Sequence, residues 1–491
     1  MTRTIAASIL ACCLLLAAAA PTAQAGRDQE TIFDATNDLL LTESEAARQR
    51  ILDDLERLGA DTVRVIVPWR KIVPAPGASL PPADFDPTDP ADYVGGELHS
   101  IDQSVRGAAE RGLRVLLSPS GPIPDWASAS GASSLTNPKP AEFRKLLVGL
   151  GRRYDGTFGS ECSVLPVEVP PFPAGTPICF PGQRGPIPRV EFWSIWNEPN
   201  LKLFLRPQFV GRRPVAGKLY RRLFLAARAG LEGSGHGTDP VLIGETSPSS
   251  GRNSTDPLDF LAQVLCLNSR GRLRGGCRPL EASGWAHHPY DPHGSPLRAS
   301  SPGLLAIPTL NRLAGALTRA AGATGGRLPI YVTEYGVESV PDPQGVSLAR
   351  QAEYLAIGEY RLWRNRAVRS YGQYLLHDDR ETNRYAFQSG LRTNRGAAKP
   401  SHRSFQIPIV VRQRGARVRI WGHVRPGSGV REVTVRARKR GRLVNLRRLR
   451  TNTLGYFGFT APAGGADRWR AESTLPEGRV VSGPLVRAYS F

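Results

Sequence analysis

Residues 189–200 read RVEFWSIWNEPN, an apolar and aromatic run that stops at Asn197, Glu198 and Pro199. Phe192, Trp193, Ile195 and Trp196 fall on both faces of any extended segment drawn through them. A strand of that composition is buried on both sides, as in a parallel sheet covered by helices. A carboxylate at the end of such a strand calls for a partner or a task. Residues 328–336, LPIYVTEYG, repeat the arrangement, with Glu334 closing a second apolar run.

Outward from these two stretches, the chain from about residue 30 to 400 alternates β-like runs with helical ones. The runs are TIFDA (31–35), DTVRVIVPW (61–69), LRVLLSPSG (113–121), RVEFWSIWNE (189–198), PVLIGET (240–246), EASGWAHHPYDP (281–292), LPIYVTEYG (328–336) and VRSYGQYLLHDD (368–379). Between the first two, TESEAARQRILDDLERLG (42–59) has Thr42 and Glu45 at capping-box spacing, and Ile51, Leu55 and Leu58 recur at helical intervals before Gly59. Eight such units predict an α/β fold, a (β/α)8 TIM barrel. An open doubly wound sheet would more often carry a Gly-rich loop after its first strand, and none is present.

After residue 406 the pattern shortens. Val418, Ile420 and Val424 take one parity and Arg417 and Arg419 the other, as in a strand with one wet face. Turns at PGSG, KRG and NTLG complete the reading of a small β-sandwich. The expected division is a secretory signal at 1–25, a barrel at 26–405 and an accessory sandwich at 406–491.

The signal is read from Arg3, the apolar stretch after it and the small-residue site at Ala23 to Ala25. Export would leave Cys162, Cys179, Cys266 and Cys277, an even number that suggests disulfides. Proximity pairs Cys162 with Cys179 and Cys266 with Cys277. No later run of about 18 apolar residues predicts a membrane span. The formal net charge is +21, and 18 basic against 4 acidic residues fall after position 406. That region is either a solvated Arg-rich surface or a contact for an anionic cell-wall polymer. Nucleic acid is the weaker reading, because the basic runs sit in no nucleic-acid-binding module.

In a parallel barrel the C-terminal strand ends converge on one mouth, where ligands bind. Strands four and seven lie across that mouth from each other, which allows Glu198 and Glu334 to meet. Two carboxyls about 5 to 5.5 Å apart suit a retaining glycosidase, and roughly 6.5 to 9.5 Å suits an inverting one. Burial near Trp193 and Trp196 is expected to raise Glu198, the acid, while Arg64 or Tyr290 keeps Glu334 ionised. In WAHHPYDPH (285–293) neighbouring residues face opposite sides, so His287 and His288 cannot both line one site undistorted. One of them faces a sugar together with Tyr290, or the pair is structural. Trp69, Trp126 and Trp285 are sugar-stacking faces or core. Glu245 ends strand five and rivals the other two glutamates. At strand eight His377, Asp378 and Asp379 are candidates for substrate hydroxyls. Neither cofactor nor metal is called for.

Together, WNEPN at the fourth strand end and TEYG at the seventh resemble clan A of the glycoside hydrolases, and HPYDP with the segment 387–405 is similar to families 39 and 5 within it. The resemblance covers roughly residues 30 to 405. It implies Glu198 as general acid/base, Glu334 as nucleophile and Asn197 as donor to the sugar 2-hydroxyl. Many relatives place a tryptophan under the sugar at strand eight, where this chain has LLHDD. The expectation is an exported retaining glycosidase acting on an oligo- or polysaccharide. A non-catalytic carbohydrate-binding barrel and a transglycosidase are the alternatives.

Overall fold

The computed structural model describes residues 29–42, 44–131, 134–159, 163–164, 170, 177–178, 184–248, 254–380, 386–427, 429–476 and 478–489. Residues 1–25, read above as a signal, and Cys162 and Cys179 lie outside them. Eight strands form one parallel sheet: β1 (Glu30–Asp34), β2 (Thr62–Pro68), β3 (Arg114–Ser120), β4 (Trp193–Ser194), β5 (Val241–Thr246), β6 (Gly284–His287), β7 (Ile330–Val332) and β8 (Ser370–Tyr374). Neighbours in the sheet follow chain order, and β8 pairs with β1. Ile330 N–H donates to the Ala367 carbonyl at 2.7 Å and Arg369 N–H to the Ile330 carbonyl at 2.8 Å, which closes the barrel between β7 and β8.

Strand parity separates two apolar layers. Ile32, Leu116, Phe192, Leu242 and Ala286 fill the barrel interior, with Tyr331 packed on them. Phe33, Val63, Val65, Leu117, Trp193, Ile243 and Ile330 point outward and bury the helices. Those helices include α1 (Glu45–Arg57), α2 (Gly96–Glu110), α3 (Pro140–Arg153), α4 (Ala216–Glu232), α5 (Pro257–Val264), α6 (Asn311–Arg319), α7 (Leu348–Arg364) and α8 (Pro400–Gln406). Helix α1 starts later than its capping-box spacing suggests. Ser44, not Thr42, is the N-cap, its Oγ accepting from Ala47 N–H at 3.2 Å. Glu45 is therefore already inside the first turn, where it binds Arg48 at 2.7 Å and Gln49 at 2.6 Å.

The run 189–198 also differs from the long strand expected, because only Trp193–Ser194 pair as a ladder. Leu117 N–H donates to the Phe192 carbonyl at 3.0 Å, and the next donor from β3 would be residue 119, a proline without an N–H. The backbone then turns at Trp196 (φ 73°) and Glu198 (φ 38°), left-handed conformations that cost non-glycine residues energy. The strand end is thereby bent over the barrel mouth.

Beyond α8, two four-stranded sheets make the C-terminal sandwich. They are built from β9 (Ile409–Arg414), β10 (Arg417–His423), β11 (Glu432–Lys439), β12 (Arg442–Arg450), β13 (Tyr456–Pro462), β14 (Ala466–Thr474), β15 (Val480–Ser482) and β16 (Ala488–Tyr489), in the orders β13-β10-β9-β16 and β12-β11-β14-β15. Val418 and Ile420 are buried between the sheets while Arg417 and Arg419 are exposed, the alternation legible in the sequence. Cys266 and Cys277 are bonded to each other.

The sandwich is fastened to the barrel rather than tethered to it. Tyr360 and Trp363 of α7 pack against Trp421 and Tyr456. Beside them Arg425, fully buried, grips Glu359 of α7 with both guanidinium nitrogens, at 2.9 and 3.1 Å, and lies 4.2 Å over the Phe405 ring. His423 adds a bond to Glu359 at 2.9 Å. Burial raises a carboxyl, yet Arg425 and His423 hold Glu359 below its ordinary value. Removing the cation would leave that carboxylate buried and uncompensated, at a cost of about 3 to 5 kcal/mol. Arg425→Ala is therefore expected to lower the denaturation midpoint of barrel and sandwich together, followed by circular dichroism. An unchanged barrel transition would contradict this coupling.

Candidate active site

The polar groups at the C-terminal strand ends are organised around one cation. Arg64, on β2, is wholly buried because it points into the barrel one layer above the apolar plug. Its Nη1 donates to Asp34 at the end of β1 and to Glu334 Oε1 at 2.6 Å. Its Nη2 donates to Asn197 Oδ1 at 2.9 Å and lies 3.3 Å from Glu245 Oε2. A planar guanidinium can serve several acceptors at fixed angles, which a lysine ammonium cannot. Arg64 thus ties the ends of β1, β2, β4, β5 and β7 into one constellation.

The second cation-forming group is His288, also fully buried. Its Nδ1 is 3.0 Å from Glu198 Oε1 and 3.5 Å from Glu334 Oε2. Its Nε2 is 2.7 Å from Glu245 Oε2. Burial opposes charge on the ring, but Glu334, Glu198 and Glu245 outweigh it and raise His288 to about 10. Because both glutamates reach the same ring nitrogen, Glu198 Oε1 and Glu334 Oε2 are no farther apart than those two short distances laid end to end. The Tyr290 hydroxyl donates to Glu334 Oε2 at 3.1 Å.

The three glutamates differ in access. Side chains of Glu198 and Glu334 are 14% and 9% exposed, open to the mouth, whereas Glu245 is at 0%. Glu245 is saturated by Ser194 Oγ, by Thr333 Oγ1 at 2.7 Å, by His288 and by Arg64. Burial alone would raise Glu245, but Arg64 and His288 bring it down to about 2. Glu334 goes the other way, as burial pushes it up to about 7 against the pull of His288 and Arg64. The sequence reading expected that effect at Glu198 instead. Trp193 and Trp196, expected to enclose Glu198, face the helix layer, against His236 and Phe143.

The remaining candidates are distributed unevenly. Asn197, Arg64, His288 and Tyr290 meet around the two open carboxylates. His287 points outward, as alternation requires, with Nδ1 2.9 Å from Thr246 Oγ1 and Nε2 2.7 Å from the Leu305 carbonyl. Burial lowers it to about 4, so it is a neutral ring bound into the wall. Trp126 is 3% exposed, packed edge-on against Trp69 and Phe85, and Trp69 and Trp285 are equally enclosed. His377 binds Asp38 at 2.7 Å and lines a separate groove of about 870 Å³ with Arg50, Asp379 and Arg392, to which none of the clustered carboxylates contributes. Asp378 is turned inward onto Lys399 at 2.6 Å.

Two further residues complete the mouth. Asp34 ends β1 and Tyr374 ends β8, each a polar terminus to a buried strand, the signal that identified Glu198. Tyr374 stands edge-on to Tyr290, with ring centroids 6.1 Å apart, and to the partly exposed Phe387 at 5.2 Å. These rings stand on the strand-eight side, where LLHDD offers no tryptophan.

Among solved structures, a glucosidase from Croceicoccus marinus is similar with a TM-score of 0.53 and 12% identity, covering 89% of this chain and 93% of that one. GH5_18 from Streptomyces cattleya in complex with GlcNAc is similar with a TM-score of 0.47 and 17% identity, covering 77% of this chain and 79% of that one. The likeness to the first, at such identity, speaks to the fold alone. No family model matches the chain. No curated protein matches it.

Proposed function

We propose that this chain is an exported retaining glycoside hydrolase that opens O-glycosidic bonds of an oligo- or polysaccharide by double displacement. The observation that carries the reading is the shared contact of Glu198 and Glu334 with one nitrogen, at 3.0 and 3.5 Å. That bound only touches the lower end of the roughly 6.5 to 9.5 Å spacing at which an inverting enzyme seats a water between its carboxyls, and any bend at the shared nitrogen brings the pair toward the shorter spacing of a retaining one. Glu334 attacks the anomeric carbon while Glu198 gives its proton to the departing oxygen. Glu198 then takes a proton from water, and that water releases the sugar from Glu334. Arg64 and Tyr290 orient the attacking carboxylate and disperse its charge, and Asn197, held by Arg64, presents its amide N–H2 to the sugar.

The charge balance of the cluster keeps a proton available to these roles. Four carboxylates, Asp34, Glu198, Glu245 and Glu334, face two cations, Arg64 and His288. Two like charges about 6 Å apart at an effective dielectric of about 20 repel by about 3 kcal/mol, roughly two pKa units. Glu334 therefore keeps a proton up to about pH 7, and the reaction needs that proton to pass to Glu198 before Glu334 attacks.

The outer face of β11, β12 and β14 supports a second contact, with an anionic wall polymer. Arg436 is opposite Arg470, and Arg438 opposite Arg468; Arg448 and Arg450 stand opposite Thr434 and Glu432 on the same face. Arginines aligned across strands repel unless anions lie over them. Glu472 bridges Arg436 and Arg470 at 3.0 Å each and Asp467 binds Arg438, which leaves Arg448, Arg450 and Arg468 as the cations of this face outside the ion pairs among the described residues.

Three outcomes are expected. Glu198→Ala and Glu334→Ala each reduce hydrolysis of aryl β-glycosides by at least about a thousandfold, and azide restores Glu334→Ala as an adduct of inverted configuration; full activity in either variant contradicts the assignment. The kcat/KM profile falls on its alkaline side near pH 7, as the pair loses its last proton, about tenfold per pH unit, whereas a profile flat to pH 9 would show that no proton is held there. Retention on an anionic polysaccharide weakens steeply as the screening length shrinks from about 10 Å at 0.1 M salt to about 3 Å at 1 M, and retention indifferent to salt argues against the arginine face.

A further inference from the structure

Glu245 is a buried acid that the mechanism above leaves without a task. It cannot reach substrate, since it has no exposed surface and every oxygen is occupied by Ser194, Thr333, His288 or Arg64. Holding such a group is costly. The backbone at Glu245 is left-handed (φ 47°), and β5 shifts register against β6 between Trp285 and His287. A carboxylate kept at that expense, fully hydrogen-bonded, acts on a neighbour. The neighbour whose state it can change is His288.

His288 has carboxylate oxygens on both ring nitrogens, Glu245 on Nε2 and Glu198 with Glu334 on Nδ1. A neutral imidazole carries one lone pair, and in this setting that lone pair would point at a carboxyl oxygen, of Glu245 on one side or of Glu198 on the other. Only the imidazolium has a donor for each side. Every element around the ring contributes to its field: Asp34 from β1, Arg64 from β2, Glu198 after β4, Glu245 on β5, His287 and Tyr290 in its own segment and Glu334 after β7. Among the acids Glu245 alone is both in contact with the ring and sealed from the mouth. Its charge does not change when substrate arrives or when Glu198 and Glu334 exchange protons.

We propose that Glu245 is a positioning residue, whose fixed negative charge keeps His288 a cation and locks its ring so that Nδ1–H faces the gap between Glu198 and Glu334. The two working carboxyls thus meet a constant donor through both steps of the reaction. This proposal rests on the glycosidase reading for its purpose but not for its physics, and the test separates the two.

The test is a titration of the histidine ring nitrogens by 15N NMR in the full chain, with the His288 signal assigned by its loss in His288→Gln. In the wild type His288 is expected to stay imidazolium at pH 7. In Glu245→Gln its midpoint should fall by at least one pH unit, a tenfold loss of proton affinity, while Glu245→Asp restores most of it. In parallel, kcat for an aryl glycoside should drop about tenfold or more in Glu245→Gln with KM little changed. A wild-type His288 that is neutral at pH 7 overturns the proposal, whether or not Glu245→Gln folds. An unmoved His288 midpoint in a folded Glu245→Gln also overturns it, even if hydrolysis is impaired. A wild type that hydrolyses no glycoside while His288 titrates as expected sinks the glycosidase reading and leaves the charge device standing.

Discussion

The structure depends on a guanidinium placed where water cannot reach it. Arg64 points into the barrel and bonds side chains from four other strand ends. An isolated charge in that position would be prohibitively expensive. It is tolerable because acids from β1, β5 and β7 converge on it, and each of those acids is tolerable for the same reason. The barrel supplies convergence, since parallel strands bring all their C-terminal ends to one mouth. The charge cluster in turn restricts register, because sliding any of these strands by one residue would withdraw its side chain from the guanidinium.

Within that cluster, burial and pairing divide three glutamates into distinct states. Glu245 is sealed and satisfied, and its two cationic neighbours hold it ionised. Glu334 is nearly as buried but shares its cations with other acids, so burial dominates and raises it. Glu198 keeps the greater exposure, on a backbone bent by the missing rung at Pro119. One chemical group thus takes three states, a sealed counter-ion, a buried carboxyl raised toward neutrality and a more accessible one, according to its surroundings alone. The sandwich repeats the same economy at the far end of the chain, where Arg425 and Glu359 satisfy each other inside an aromatic seam.

Much of this was legible in the sequence. Apolar runs closed by carboxylates marked β4 and β7, and their continuous burial called for a parallel sheet covered by helices. Period-two alternation separated the sandwich from the barrel. Where the reading went astray, the cause was a local contest that pattern does not record. Ser44 displaced Thr42 as the cap of α1 because the helix begins two residues later. The aromatic run at 189–198 kept only a two-residue ladder, because a proline on the neighbouring strand removed a donor.

The order of residues by itself determined that Glu198 and Glu334 would stand at strand ends, that His287 and His288 would face opposite ways, and that the basic C-terminal segment would present one wet face. Those are consequences of strand and helix periods, which act over a few residues. Only the tertiary structure decided which histidine turned inward, that Glu245 would be walled off while its two counterparts stayed open, and that Trp126 would sit among rings rather than at the mouth. Such outcomes depend on which distant side chains share a buried volume, and a charge in low dielectric takes its state from neighbours tens to hundreds of residues away along the chain.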